Sequence, residues 1–447
     1  MKVSHKIIYV VLIFTLMSCG PASKVTAQPE TSVANPTSSL SDTTNRSACR
    51  SLKLANELAT KLDLSNPLVA MLLSDIGQLE AKSGDLDAVR QLLQQVDKQQ
   101  ENSFAIIAKA KITAALATAL ATSNRLGDAE KVVGEIPDFQ SDERCIAFSE
   151  IAKLRVAKGD LEAGTRFWKL ADQSVANEKD VTKRSESERV IIRSLADAGR
   201  IEDAKKRAAG LEARHDDHRG WGPVAESLAI QGDTATAEKI IKSKLSGANW
   251  ELYQLIAAVA PKGRFIEGRA ALQQMDDPAL AATACHLLAV ALARRGSKDL
   301  ATLQLKESWS FMDKANLDTA QTGRILLSSI DPSAVLAGIK ATLVVCQEFE
   351  KRYPPNLAAD AYRRLATHCP LEAKEDQIRY LDIAEKLSQK VLDPVEQITC
   401  IQDVFRTRSV LLGEEQAIRT AEKITEGLNR GYALLGVAEG RLLPAKK

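Results

Sequence analysis

WGPVAESLAIQGDTATAEKII, residues 221–241, reads as two helices joined by a reversal at Gly232. Apolar residues recur at three- and four-residue steps on both sides: Trp221, Ala225 and Leu228 before the glycine, Ala237 and Ile241 after it. That period belongs to helices with one buried face. A helix that must double back ends on a residue in the left-handed conformation, which glycine adopts without a Cβ penalty. Asp233 then caps the next helix through its carboxylate. Ala237 is small enough for the two helices to approach closely. No sustained apolar–polar alternation anywhere in the chain argues for strands, so the expected class is all-α.

The signature returns along the chain. A Gly followed five residues later by a small or aliphatic residue occurs at Gly84/Val89, Gly159/Gly164, Gly199/Ala204, Gly232/Ala237, Gly263/Gly268 and Gly296/Ala301. Asn124/Ala129 fills the same slot, as asparagine tolerates the left-handed region next best. Four positions further stand Leu93, Val133, Trp168, Ala208, Ile241, Leu272 and Leu305. Seven before the turn stand Gly77, Ala117, Ala152, Ala225 and Ala289, with Ile192 and Ile256 as departures. Successive turns lie 40, 35, 40, 33, 31 and 33 residues apart, and the two spacings of 40 imply inserted loop residues or lengthened helices.

The positions of Trp221, Ala225, Leu228, Gly232, Ala237 and Ile241 resemble the large–small–large–Gly–Ala–large pattern of the tetratricopeptide repeat (TPR), a pair of antiparallel helices of about 34 residues. Phe148 and Leu252 take the Trp221 slot in their own copies, and the resemblance covers about 70–310. It implies an α-solenoid of helical hairpins whose first helices line a concave face that grips a peptide or a partner domain. The consensus aromatics are mostly aliphatic here, so a different helical-pair solenoid stays open.

Beyond 310 the register fades. Helices are expected at Ile325–Ile330, Ala334–Phe349, Leu357–Ala366, Ile378–Leu392, Ile398–Ser409 and Ile418–Leu428. Asp331-Pro332, Pro354-Pro355, Cys369-Pro370 and Asp393-Pro394 read as breakers between them. Residues 311–447 are either degenerate repeats or a helical bundle, closed by a capping helix at Gly431–Leu443.

The N-terminus reads as an address. Lys2, His5 and Lys6 precede an apolar run, Ile7–Met17, of signal-peptide length and too short to span a bilayer. Leu16-Met17-Ser18-Cys19-Gly20 resembles the lipobox of bacterial lipoproteins, which implies lipidation of Cys19, although Met17 is an unusual occupant of its position. A rival cut after Val25-Thr26-Ala27 gives a secreted soluble protein, and an uncleaved anchor is the third outcome. On the lipoprotein reading, 1–18 is the signal peptide, 19–48 a flexible Ser/Thr/Pro-rich tether, 49–310 the repeat array, and 311–447 the less regular remainder.

Composition narrows the function classes. Of 447 residues, 60 are Lys or Arg and 58 are Asp or Glu, and loss of Lys2 and Lys6 with the signal peptide leaves the chain neutral. A neutral chain exerts no general pull on nucleic acid or an anionic membrane. Seven cysteines are too few for a disulfide scaffold, though Cys369 with Cys346 or Cys400 is an open pairing, equal to free buried thiols.

Few residue clusters nominate chemistry. Arg214-His215-Asp216-Asp217-His218-Arg219 has metal-ligand types, but as an inter-repeat turn it reads first as a solvated loop. Cys285-His286 and His368-Cys369 invite a nucleophile or metal reading, against which Cys285 falls in a core slot. Trp168, Trp221, Trp250 and Trp309 either pack or line a groove, and the charged run 178–193 reads as a solvated helix face. No phosphate-binding Gly-rich loop, His-Glu-x-x-His, Gly-x-Ser-x-Gly or paired-Cys zinc spacing is present. The expected function is therefore an exported, lipid-anchored, non-catalytic scaffold for protein–protein interaction. No catalytic residue, metal ligand or cofactor is nominated; the partner is a protein or peptide, and the membrane is met only through the anchor. The alternatives are an envelope enzyme of glycan lyase or transglycosylase type on a helical superhelix, and a self-associating structural component of the envelope.

Overall fold

A computed structural model describes residues 49–98, 103–176, 178–215, 217–315 and 317–443. Cys19, the signal segment and the tether lie outside the described residues. Among those described there are 23 α-helices and no strands. Neighbouring helices pack as hairpins, so the chain is all-α with solenoid-like packing.

The chain forms two compact units. One comprises residues 56–332 with 426–431. Its helices are the end of α1 (Arg50–Ala59), α2 (Pro67–Ser83), α3 (Leu86–Asp97), α4 (Ser103–Thr122), α5 (Leu126–Gly134), α6 (Ser141–Ala157), α7 (Leu161–Val175) and α8 (Val181–Asp197). They continue with α9 (Ile201–His215), α10 (Trp221–Gln231), α11 (Thr234–Lys244), α12 (Asn249–Val259), α13 (Phe265–Leu272), α14 (Pro278–Arg294), α15 (Lys298–Lys314), α16 (Thr319–Ser328) and the start of α17 (Ile330–Ala337).

Seven hairpins, α2–α3 through α14–α15, turn at the seven positions that the sequence marks. Each turn residue is left-handed, with φ from 65° at Asn124 to 92° at Gly232. The amide after each donates to a carbonyl five residues back, as in Asp233 to Leu228 at 3.0 Å and Arg125 to Leu120 at 2.9 Å, which satisfies a helix-end acceptor that burial would otherwise orphan. Asp85, Asp160 and Asp233 cap the following helices by accepting from Ala88, Ala163 and Thr236 amides. Small residues sit where helices cross. A Cβ on Gly164 would lie 2.5 Å from Val156 Cγ2, and one on Gly268 would lie 2.9 Å from Leu288 Cδ2.

The first helices also stack in succession, α2 on α4, α4 on α6, and so on to α14 on α16. This second contact makes an array from separate hairpins, since each buries its apolar face only against its neighbour. α4 alone among the described helices is long and apolar enough to cross a bilayer, yet Ala105, Ala108, Ile112, Leu116 and Leu120 are buried as it packs on α2 and α6. The turn spacing of 40 between Gly159 and Gly199 resides in lengthened helices: α8 has 17 residues where α10 has 11, and α7 has 15 where α11 has 11. One slot shifts. Leu92, not Leu93, is buried in α3, because three steps rather than four from Val89 bring a side chain onto its inner face.

The other unit comprises 333–425 with the described residues 49–55 and 432–443. It contains α18 (Ile339–Arg352), α19 (Pro355–His368), α20 (Lys374–Ser388), α21 (Pro394–Leu412), α22 (Glu414–Ala421) and most of α23 (Gly427–Leu442). Several boundaries differ from expectation, and the expected helix Ile418–Leu428 is broken between Ala421 and Gly427. Pro332 lies inside the first turn of α17, where its missing N–H has no partner to lose, and the break falls at Ser329. The expected helix Ala334–Phe349 divides at Gly338, whose φ is 85°. Pro355 and Pro394 separate helices as expected, each in a first turn, and Asp393 caps its helix by accepting from the Glu396 amide at 2.8 Å. α23 closes this unit with Tyr432, Leu434, Leu435 and Val437 buried. Glycine permits that closure, as a Cβ on Gly436 would overlap the Gln402 carbonyl oxygen of α21. Within the same unit Glu414 accepts from the Ser51 amide at 3.0 Å and from its hydroxyl at 2.8 Å, satisfying the free start of α1.

Candidate functional site

A cavity of about 680 Å³ lies between two second helices, α7 and α9, with α8 also lining it. α11 and α13 pack against each other at the corresponding place, whereas α7 and α9 stand on either side of a groove. Thr165, Leu195 and the edge of Trp168 line its apolar part. Trp168 itself is buried, its indole N–H donating to Ser194 Oγ at 3.0 Å.

The walls are ionic. From α9 come Lys206, Arg207 and Arg214, from the residue just before it Arg200, and from α7 Lys169. Each arginine is held by one carboxylate: Arg207 by Asp172 at 2.6 Å, Arg214 by Glu188 and Arg200 by Asp203. Lys169 and Lys206 are exposed and without an ion-pair partner among the described residues. The groove therefore carries two uncompensated positive charges above three fixed guanidinium groups.

The first-helix side is different. Arg193 of α8 pairs with Glu226 of α10 at 3.0 Å, and Arg189 of α8 reaches Glu251 of α12 at 3.7 Å across α10. Gly222 of α10 leaves that path open, since a Cβ there would lie 3.3 Å from Glu251 Cβ. Beside Glu251, Trp250 is 57% exposed and stacks on Tyr253 with ring centroids 5.6 Å apart. Trp221 instead packs in the core, donating to Glu212 Oε2 at 2.8 Å beneath Lys244. Of the four tryptophans, Trp250 is thus the exposed one, with Trp309 half-buried.

The polar clusters singled out in the sequence have structural partners. In the turn at 214–219 Arg214, His218 and Arg219 are solvated as expected, and Asp217 is the exception. Asp217 is buried, accepting from the Arg219 amide and guanidinium and from Ser185 Oγ. Burial opposes its charge, but these donors outweigh it and hold the carboxyl down to about 2. The side chain of His215 and all of Asp216 lie outside the described residues. The run 178–193 is only partly a solvated face, because Ser185, Ser187 and Glu188 are buried where α8 meets its neighbours.

Cys285 and His286, adjacent on α14, turn to different partners. The thiol accepts from Gln304 Nε2 at 3.1 Å, while the imidazole lies between Ser328 Oγ at 2.6 Å and Ser308 Oγ at 3.0 Å. Burial pushes the Cys285 thiol up to about 12 and His286 down to about 4, so neither is an activated nucleophile or base at neutral pH. The six described cysteines are free, and Cys369 is not joined to Cys346 or Cys400. Among the described residues no three His, Cys, Asp or Glu side chains gather as a metal site.

The groove escaped the sequence reading, although α9 carried a signal: Arg207 and Arg214, seven residues apart, share one helical face. No family model matches the chain, and no curated protein matches it.

Proposed function

We propose that the protein is an exported, lipid-anchored scaffold of the bacterial cell envelope that binds protein partners through a TPR-like array and carries out no catalysis. The observation that carries this reading is the stack of seven hairpins with one recurrent turn, whose first helices lie side by side and present the exposed Trp250 stacked on Tyr253. Such a stack offers an extended surface on a rigid frame and needs no enclosed reaction site. Its polar clusters support the same reading, since Asp217, Cys285 and His286 are each engaged in bonds that hold helices together. The lipobox-like Leu16–Cys19 and the tether behind it would place the array within reach of envelope partners.

The test is membrane fractionation of the full chain beside Cys19→Ala, followed by crosslinking and affinity capture from each fraction. The wild type is expected in membranes with reproducible partners, and the variant in the soluble fraction. If both forms fractionate alike as soluble, lipid anchoring is wrong. If the anchored chain crosslinks to no protein, the scaffold reading fails.

A further inference from the structure

We infer that Glu80 and Asn56 form a proton-operated clasp. While the carboxyl keeps its proton, it closes a ring of two hydrogen bonds with the Asn56 carboxamide and holds the end of α1 on α2; on losing the proton it lets that end open. The inference concerns the helix that follows the tether, and it stands whether or not the array binds a partner.

The clasp is read from unpaired atoms. Glu80, on α2, is 3% exposed, and its Oε1 accepts from Asn56 Nδ2 at 3.0 Å. Two further atoms of the same pair, Glu80 Oε2 and Asn56 Oδ1, are buried without a hydrogen-bond partner among the described residues. Both are acceptors when the carboxyl is ionised, so neither can satisfy the other. A buried acceptor left without a donor is destabilising. One proton on Oε2 answers both needs, because Oε2 then donates to Oδ1 while Nδ2 keeps its bond to Oε1. The planar carboxamide carries Nδ2 and Oδ1 side by side, as the carboxyl carries its two oxygens, so the existing bond already sets up the second.

The charges nearby leave the carboxyl no cation among the described residues. α1 brings Lys53 and Glu57, both exposed, and Arg50, which pairs with Glu415 at 2.9 Å. The loop 60–66 brings exposed Lys61, and Asp63, which accepts from Ser65 Oγ at 2.6 Å. On α2 itself Asp75 and Lys82 lie off the face that Glu80 occupies. α3 brings Asp87 and Arg90, paired with each other at 2.9 Å, and Asp97, paired with Lys109 of α4. α4 also carries Lys111 and no ionisable side chain after it. α23 meets α2 at Leu72, about two turns from Glu80; there Glu426 accepts from Asn429 Nδ2 at 2.7 Å, and Arg430 stands beside Gly431. Of all these and Asp85, the cap of α3, it is Asp85 that bears on Glu80, and a negative neighbour opposes ionisation.

Burial acts in the same direction and is the larger cause, raising the carboxyl to about 7 from 4.5. Opening the end of α1 returns Glu80 to water and towards its ordinary value. Between about pH 4.5 and 7 the open form therefore gives up a proton that the closed form still holds. Closure weakens by about tenfold per pH unit across that interval and levels off above it, where both forms are ionised.

The experiment is hydrogen–deuterium exchange of the full chain, read by mass spectrometry from about pH 5.5 to 7.5 with each rate corrected for intrinsic exchange. The segment 56–64 includes the Thr60 and Leu62 amides, which donate to the Asn56 and Ala59 carbonyls at 3.0 and 3.1 Å. Its protection should fall by at least about tenfold over that range, while protection in α10 stays level. Glu80→Gln, whose Nε2 can donate to Asn56 Oδ1 at any pH, should keep protection of the segment level. Infrared difference spectra give a second reading that needs no variant: the carbonyl band of a protonated carboxyl should disappear from the wild type between about pH 6 and 8. Level protection of 56–64 in the wild type, an equal fall in Glu80→Gln, a parallel fall in α10, or no such band at about pH 6 overturns the inference.

Discussion

Replacing Glu80 with glutamine should stabilise the protein at pH 8 and leave it nearly unchanged at pH 5. Glu80 lies on α2 and is 3% exposed. Its Oε1 accepts from Asn56 Nδ2 at 3.0 Å, but its Oε2 is buried without a hydrogen-bond partner. Burial raises the carboxyl to about 7 from its usual value of 4.5, with Asp85 adding to the rise and Asn56 opposing it. The folded chain therefore holds this proton more tightly than the unfolded chain. The associated stability is fully present below about pH 4.5 and is lost as pH rises through about 7. A shift of that size is worth about 3 kcal/mol at 1.36 kcal/mol per unit. Glutamine keeps the shape and the acceptor for Asn56 without the charge, so E80Q should exceed the wild type by about 2–3 kcal/mol at pH 8. Urea denaturation followed by far-UV circular dichroism at both pH values measures the difference, and the subtraction cancels other titrating groups. A stability difference that is the same at pH 5 and pH 8 would refute the assignment of a strained buried carboxylate.

His286 should act in the opposite sense. Burial lowers it to about 4, so the unfolded chain protonates first, and stability present above about pH 6.5 falls by about 3 kcal/mol towards pH 4. His286→Gln should flatten that slope, and equal slopes in the two chains would count against a neutral buried imidazole. Gly232→Val should cost about 1 kcal/mol or more, because φ is 92° and the new Cβ would lie 3.1 Å from Arg264 Nη2. An unchanged melting temperature would be the contrary result. Gly436→Ala should destabilise by about 1–3 kcal/mol through overlap with the Gln402 carbonyl, whereas Gly134→Ala, with open space around it, should be neutral or better in the same thermal melt.

The seven reversal points, their Asp caps and the small residues behind them were legible in the sequence because each depends on a few neighbours along the chain. A left-handed turn needs Gly or Asn at one position, and a cap needs its carboxylate beside the first free amides. Helix ends near proline were less legible. Pro332 is compatible with either a break or a first turn, and it stands in the first turn of α17.

Composition and spacing alone thus determined the helical class, the hairpin unit and its recurrence. The tertiary structure decided which polar groups are buried and where a groove opens. Asp217 and Glu188 look like solvated charges until Ser185 and Arg214 reach them from other helices. Cys285 and His286 are neighbours in sequence but face Gln304 and the Ser308–Ser328 pair. Arg207 and Arg214 share a face of α9 by spacing alone, but the width of the cleft before them depends on how far α7 stands away. Burial and cavity shape are sums over contacts between distant residues, and no local pattern encodes those sums.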